Sequence, residues 1–134
     1  MKLLVDTNVF LEIILEQEKA AEAKALLTKT EEHQFYISDY SVHSIGLLLF
    51  RRKQHDVFRE FLNDVLRQAG TSVVSLPADS LGSAIEAAQR YNLDFDDAYQ
   101  YAAAENHGLT IVSFDADFDR TERGRKAPSE ALVS

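Results

Sequence analysis

Three short stretches of this chain carry carboxylates where the edge of a sheet could gather them. Val5-Asp6-Thr7-Asn8 closes the apolar run Lys2-Leu3-Leu4-Val5, Asp96-Asp97 opens an Ala-rich stretch, and Asp115-Ala116-Asp117 follows the apolar run Thr110-Ile111-Val112-Ser113. In open α/β sheets ligands collect just outside the carboxyl ends of the strands, so Asp6 and Asp115 are site candidates by position. Carboxylates a few ångströms apart raise one another's pKa, and a cluster that stays ionised near neutrality implies a bound hard cation. The chemistry on offer is oxygen ligation of a divalent metal.

Each of these stretches also has a purely structural reading. Asp6 can cap a helix that starts near Val9, and Asp94 with Asp97 three residues on has the form of a capping box. The segment Asp115-Ala116-Asp117-Phe118-Asp119 is denser in acid than capping requires. It is not an EF-hand loop, because Arg120 stands where that loop needs Gly and Lys126 where it needs a bidentate Glu. No Gly-rich phosphate loop, dinucleotide fingerprint or Gly-x-Ser-x-Gly elbow occurs, and the chain has no Cys. Asn8 takes the place of the second Asp of haloacid-type phosphatases, and the acidic pair of a phosphoacceptor receiver is missing after the first strand. His33, His43, His55 and His107 lack paired ligand spacing and read as surface or hydrogen-bonded residues. Oxygen-only ligation remains, which suits Mg²⁺ or Mn²⁺.

The elements that must position these groups alternate between strand-like and helix-like patterns, the signature of βαβ units and a parallel sheet. Strands are predicted at Lys2 to Val5, Gln34 to Ile37, Ser72 to Ser75 and Thr110 to Ser113. Helices are predicted from Val9 to Leu15, Glu18 to Glu32, Ser41 to Arg52 with Asp39 as cap, Asp56 to Arg67, Ala78 to Tyr91 and Asp96 to His107. The Asp56 to Arg67 helix has a wide apolar stripe, including Phe58, Phe61 and Leu62, which would leave a patch for a second subunit or a partner. The last ten residues are polar, contain Pro128 and read as loosely held.

At 134 residues the chain fits one domain that needs no disulfide to fold. No apolar run is long enough to span a bilayer, and Met1 to Leu15 reads as mature protein because Asp6 and Glu12 interrupt it. The absence of Cys agrees with a cytoplasmic location. Net charge is −8, so the average field repels nucleic acid and any such role needs local cations. Two segments provide them, Arg51-Arg52-Lys53 and the set Arg120, Arg123, Arg125 and Lys126; the alternative is that they are solvated helix ends.

Taken jointly and in order, Val5-Asp6-Thr7-Asn8, Leu93-Asp94-Phe95-Asp96-Asp97-Ala98 with Ala102-Ala103-Ala104, and Ile111-Val112-Ser113-Phe114-Asp115-Ala116-Asp117-Phe118 resemble the PIN domain over nearly the whole chain. The resemblance implies a three-layer α/β/α fold around a mainly parallel sheet of four to five strands. It implies a metal-dependent ribonuclease of the VapC toxin type, homodimeric and held by a small antitoxin protein, with RNA as substrate. By position Asp6, Asp97 and Asp115 match the family's metal-binding acids and Asp117 an auxiliary acid, with Mg²⁺ or Mn²⁺ as cofactor. Thr7, Asn8, Ser44 and Ser113 would position substrate or ligands. The remaining family acid is a Glu early in the third helix, and here that place holds Ser44, with Asp39 nearby as a candidate substitute. A PIN fold weakened in catalysis that binds RNA or a protein is the alternative this substitution raises.

Overall fold

Leu3, Leu4 and Val5 are all fully buried, which a strand achieves only when both faces of its sheet are covered. The computed structural model describes residues 1–133 and places them in β1 (Lys2–Val5). There follow α1 (Thr7–Ile14), α2 (Ala20–Leu27), β2 (Gln34–Ser38), α3 (Asp39–Arg51) and α4 (His55–Leu62), which runs on into a π-helical turn, Asn63–Gln68. The second half comprises β3 (Ser72–Val74), α5 (Leu81–Tyr91), α6 (Phe95–His107), β4 (Thr110–Val112), a 3₁₀ turn over Ala116–Arg120 and α7 (Pro128–Leu132).

The strands are parallel in the order β3-β2-β1-β4, with Leu4 opposite Tyr36 on one side and Ile111 on the other. Strand alternation sorts the apolar side chains between two layers. Leu4, Ile111 and Val74 pack with Ala84, Ala87, Tyr101 and Ala102 of α5 and α6. Leu3, Val5, Phe35, Ile37 and Val112 pack with Phe10, Ala23, Leu26, Ile45, Leu49 and Phe61 on the other face. The result is the three-layer α/β/α arrangement expected of a PIN-like chain, with four strands. A fifth position is sketched by one parallel bridge, Val112 to Lys126, beyond β4. Lys126 N–H donates to the Ile111 carbonyl at 2.8 Å and Ser113 N–H to the Lys126 carbonyl at 3.0 Å.

Crossovers leave β1 toward β2 on one side and β4 pairs on its other side. The chain therefore reverses its winding between β1 and β4, and a crevice opens at their carboxyl ends. Asp6 and Ser113 are the first residues past those ends.

Several local expectations change. Ser38, not Asp39, caps α3, its hydroxyl accepting from Ser41 N–H at 3.1 Å. Asp94 sits at the N-cap of α6 with extended backbone, yet its side chain makes no cap bond, and the capping box with Asp97 does not form. The Glu18–Glu32 helix stops at Leu27, and the Asp56–Arg67 helix changes to π geometry after Leu62. The C-terminal segment is not loose: α7 has Pro128 in its first turn, Ala131 is fully buried, and the helix docks on α2. Of the apolar stripe on α4, Phe61 is buried edge-on to Phe10 at 5.4 Å between ring centroids, and Phe58 and Leu62 are half-covered. On the neighbouring α3, Leu47 and Phe50 are open, at 55% and 56% exposure.

Candidate metal centre

The turn from β1 into α1 puts Asp6 at the helix N-cap, with its backbone N–H held by the Val112 carbonyl at 2.9 Å. The side chain is 6% exposed and all of its lone-pair positions are used. One oxygen accepts from Thr7 N–H at 2.8 Å and from Gln100 Nε2 at 2.9 Å. The other accepts from Ser113 Oγ at 2.7 Å and, more distantly, from Asn8 Nδ2 at 3.4 Å. Burial pushes the Asp6 carboxyl up, and the bonds from Gln100, Ser113 and Thr7 oppose that shift.

The residues assigned to positioning are spent on the protein itself. Asn8 donates to Ser113 Oγ at 3.0 Å and accepts from Phe114 N–H at 3.2 Å, which staples the β1–α1 turn to the chain leaving β4. Ser113, fully buried, accepts from Asp115 N–H at 2.9 Å while it donates to Asp6. Thr7 Oγ1 lies 2.7 Å from Ser41 Oγ. These side chains fix the carboxylates that would meet a ligand.

Asp97, Asp115 and Asp117 each offer an oxygen within 4.8 Å of the other two. They come from the first turn of α6 and from the 3₁₀ turn after β4. Asp115 is held by accepting from Asp117 N–H at 2.8 Å. One Asp117 oxygen accepts from Arg120 Nη1 at 2.9 Å, and the same guanidinium donates to the Tyr91 and Asn92 carbonyls at the end of α5. Asp97 is pushed up to about 8, first by burial and then by the Asp115 carboxylate, with which it shares a hydrogen bond, and by Asp96 and Asp6. Asp97 thus keeps its proton near neutrality while no cation is bound. A divalent cation would replace that proton with two positive charges on the same oxygens, so the all-oxygen donor set fits Mg²⁺ or Mn²⁺.

A cavity of about 260 Å³ is lined by Asp6, Thr7, Asn8, Leu11, Tyr40, Ser44, Asp96, Asp97 and Asp115. Asp6, Asp97 and Asp115 therefore share one hollow, although Asp6 lies outside the close carboxylate trio, which takes Asp117 instead. Ser44 lines the hollow beside Tyr40. Asp39 does not stand in for the missing Glu. Its carboxylate accepts from Tyr40 N–H at 2.8 Å and from the Tyr99 hydroxyl at 2.7 Å, and it does not line the cavity. Asp96 does line it.

Gln100 escaped the sequence reading. It is 1% exposed, donates to Asp6 and to Ser41 Oγ at 2.7 Å, and leaves its Oε1 without a partner among the described residues. Its only signal in the sequence is a lone amide within an apolar, Ala-rich helix, one turn after Asp97. The basic set near the C-terminus also has internal work. Arg123 donates to the Leu109 carbonyl at 2.9 Å, and Arg125 pairs with Asp119 at 3.1 Å and donates to the Ser113 carbonyl at 3.0 Å.

No curated protein sequence matches the chain. Among solved structures it is similar to VapBC2 of Rickettsia felis bound to a promoter DNA fragment, with TM-score 0.77 and 14% identity over 94% of this chain and 97% of that one. It is similar to VapC20 of Mycobacterium tuberculosis, a sarcin-ricin loop cleaving toxin, with TM-score 0.71 and 23% identity over 87% and 92% of the two chains. FitAcB of Neisseria gonorrhoeae gives TM-score 0.68 and 25% identity over 94% and 97%. The family profile described as PIN domain matches residues 3–124. With that match spanning the sheet and the acidic hollow, the chain belongs to the PIN domain family.

Proposed function

We propose that this protein is a divalent-metal-dependent ribonuclease that hydrolyses RNA phosphodiester bonds, the toxin of a toxin–antitoxin pair. The supporting observation is the meeting of Asp97, Asp115 and Asp117 within 4.8 Å beside buried Asp6, at the point where the sheet reverses its winding. Asp97, Asp115 and Asp117 would hold Mg²⁺ or Mn²⁺, with Asp6 reaching it through water because its own lone pairs are occupied. When bound, such an ion lowers the pKa of a water and neutralises charge growing on the phosphoryl oxygens. With the ion bound, Asp97 would be ionised. Gln100, Ser113 and Asn8 keep Asp6 in one rotamer, so the acids require no rearrangement on binding. The activity belongs in the cytoplasm, and no helix of the described residues is long and apolar enough to cross a membrane.

Cleavage of a mixed RNA with added Mn²⁺ tests the reading. Asp97→Asn or Asp115→Asn should abolish it with the fold retained, and variants that cut as well as the parent overturn it. The second reading, an RNA- or protein-binding module weakened in catalysis, is favoured by one observation: Ser44 brings no charge to the hollow. An increase in rate in Ser44→Glu would mark the parent as a weakened enzyme. Another solved structure to which the chain is similar is a toxin–antitoxin complex from Klebsiella pneumoniae. By analogy an antitoxin and a second copy are proposed as partners, with exposed Leu47 and Phe50 of α3 supplying apolar contact. Phe50→Asp should shift the species seen by light scattering toward monomer.

A further inference from the structure

An aromatic cluster runs from Tyr40, which lines the acidic hollow, to Phe95 and Tyr99. Phe95, the first residue of α6, is 63% exposed although it is large and apolar. Its ring meets Tyr40 at 6.3 Å and 76°, and Tyr99 at 6.1 Å and 46°, while Tyr40 and Tyr99 lie 6.0 Å apart. The Tyr40 contact is edge-on and the Tyr99 contact tilted, geometries that support the Phe95 ring without covering it. The cluster is also rigid. The Tyr99 hydroxyl donates to Asp39 and accepts from Leu76 N–H at 2.9 Å, so a buried tyrosine anchored at its far end holds the other two rings. This is the work done by Asp39, which the hollow itself does not use.

Position identifies the occupant. Phe95 is two residues before Asp97 on the same helical turn, and Tyr40 itself lines the hollow with Asp96, Asp97 and Asp115. A nucleotide's base lies one sugar away from its phosphate, so a phosphodiester drawn to the acids and their cation carries a base toward these rings. Unpaired bases stack on aromatic faces, whereas paired bases present only edges. The charge around the rings is acidic, which disfavours backbone phosphate there and leaves the neutral base face as the matching surface. We infer that Phe95, backed by Tyr40 and Tyr99, is a stacking platform for an unpaired base next to the scissile phosphate.

The inference rests on the ribonuclease reading for the identity of its ligand, and the experiment separates the two. The chain has no Trp, so Phe95→Trp in the whole protein places a single indole on the platform. With Ca²⁺ in place of Mg²⁺, a short oligoadenylate should quench its fluorescence, and the same strand annealed to oligouridylate should not. In cleavage assays Phe95→Ala should raise KM at least about fivefold, the loss of one stacked base, with kcat nearly unchanged. Ile85→Ala, an equally exposed apolar truncation on α5, should leave KM unaltered. If the parent cleaves but the indole ignores both strands and Phe95→Ala keeps its KM, the platform is refuted and the nuclease stands. Equal quenching by duplex also refutes it, because backbone contact would explain the signal. Quenching by the single strand without any cleavage by the parent upholds the platform and refutes the nuclease. A signal that responds only to an added protein partner assigns the face to protein and overturns the inference.

Discussion

Asp97 carries a marked electrostatic conflict. Its carboxyl is raised from 3.8 to about 8 by burial and by neighbouring acids, so between those limits the folded state binds a proton that the unfolded state has released. Stability of the metal-free protein must then fall as pH rises through that window, since fewer protons are bound on unfolding. Thermal unfolding in EDTA should show Tm declining from about pH 5 to about pH 8, and Mg²⁺ should flatten or reverse the slope. A metal-free Tm independent of pH would show that the acids do not crowd. Asp97→Asn removes the conflict, so at pH 8 without metal it should raise Tm by a few degrees while cleavage is lost, a site that trades stability for activity. Gln100 gives the complementary prediction. Gln100→Leu deprives buried Asp6 of a donor at 2.9 Å and should lower the unfolding free energy by about 2–3 kcal/mol in urea titrations. A loss within about 0.5 kcal/mol would mean that Asp6 does not depend on it.

Between elements, what matters is how firmly the site-bearing turns are backed. α1 begins at the turn that carries Asp6, and it is held by Phe10, which is fully buried and meets Phe61 of α4 edge-on. Phe10→Ala should cost about 3–5 kcal/mol, read by denaturant unfolding, because the site cannot collapse around a lost ring between two helices. The turn after β4 is backed from outside the sheet. Lys126 completes the β4 edge, Arg125 reaches the Ser113 carbonyl, and Arg120 ties Asp117 to the end of α5. Two arginines that a reading by charge offers to phosphate, Arg120 and Arg125, instead frame the acidic turn after β4.

For the molecule as a whole, net charge of −8 and the internal use of Arg120, Arg123 and Arg125 leave few cations for RNA. Binding of a single strand loses about 0.7 in logarithmic slope against salt per phosphate contact. The expected slope is therefore shallow, no steeper than about −1.5, or roughly two contacts. A slope near −3, measured between low and physiological salt, would show that these arginines leave their carbonyl and carboxylate partners to hold substrate.

Local periodicity was enough to locate the strands, to mark them as buried and parallel, and to put Asp6 and Asp115 past strand ends, because alternation at two residues and at 3.6 is written in neighbouring side chains. The three-layer arrangement came from the resemblance of the three acidic motifs to the PIN domain. Which acids approach one another did not follow, since that depends on how far the crossovers carry α6 and the turn after β4. Only in three dimensions does Asp117 join Asp97 and Asp115, while Asp39 turns away to Tyr99. Gln100 was invisible for the same reason: its partners Asp6 and Ser41 lie 94 and 59 residues away, and a hydrogen bond across such a distance leaves no mark on the composition of either segment. The docking of α7 was masked by the shortness of the segment, in which Pro128 and Ala131 are the buried residues.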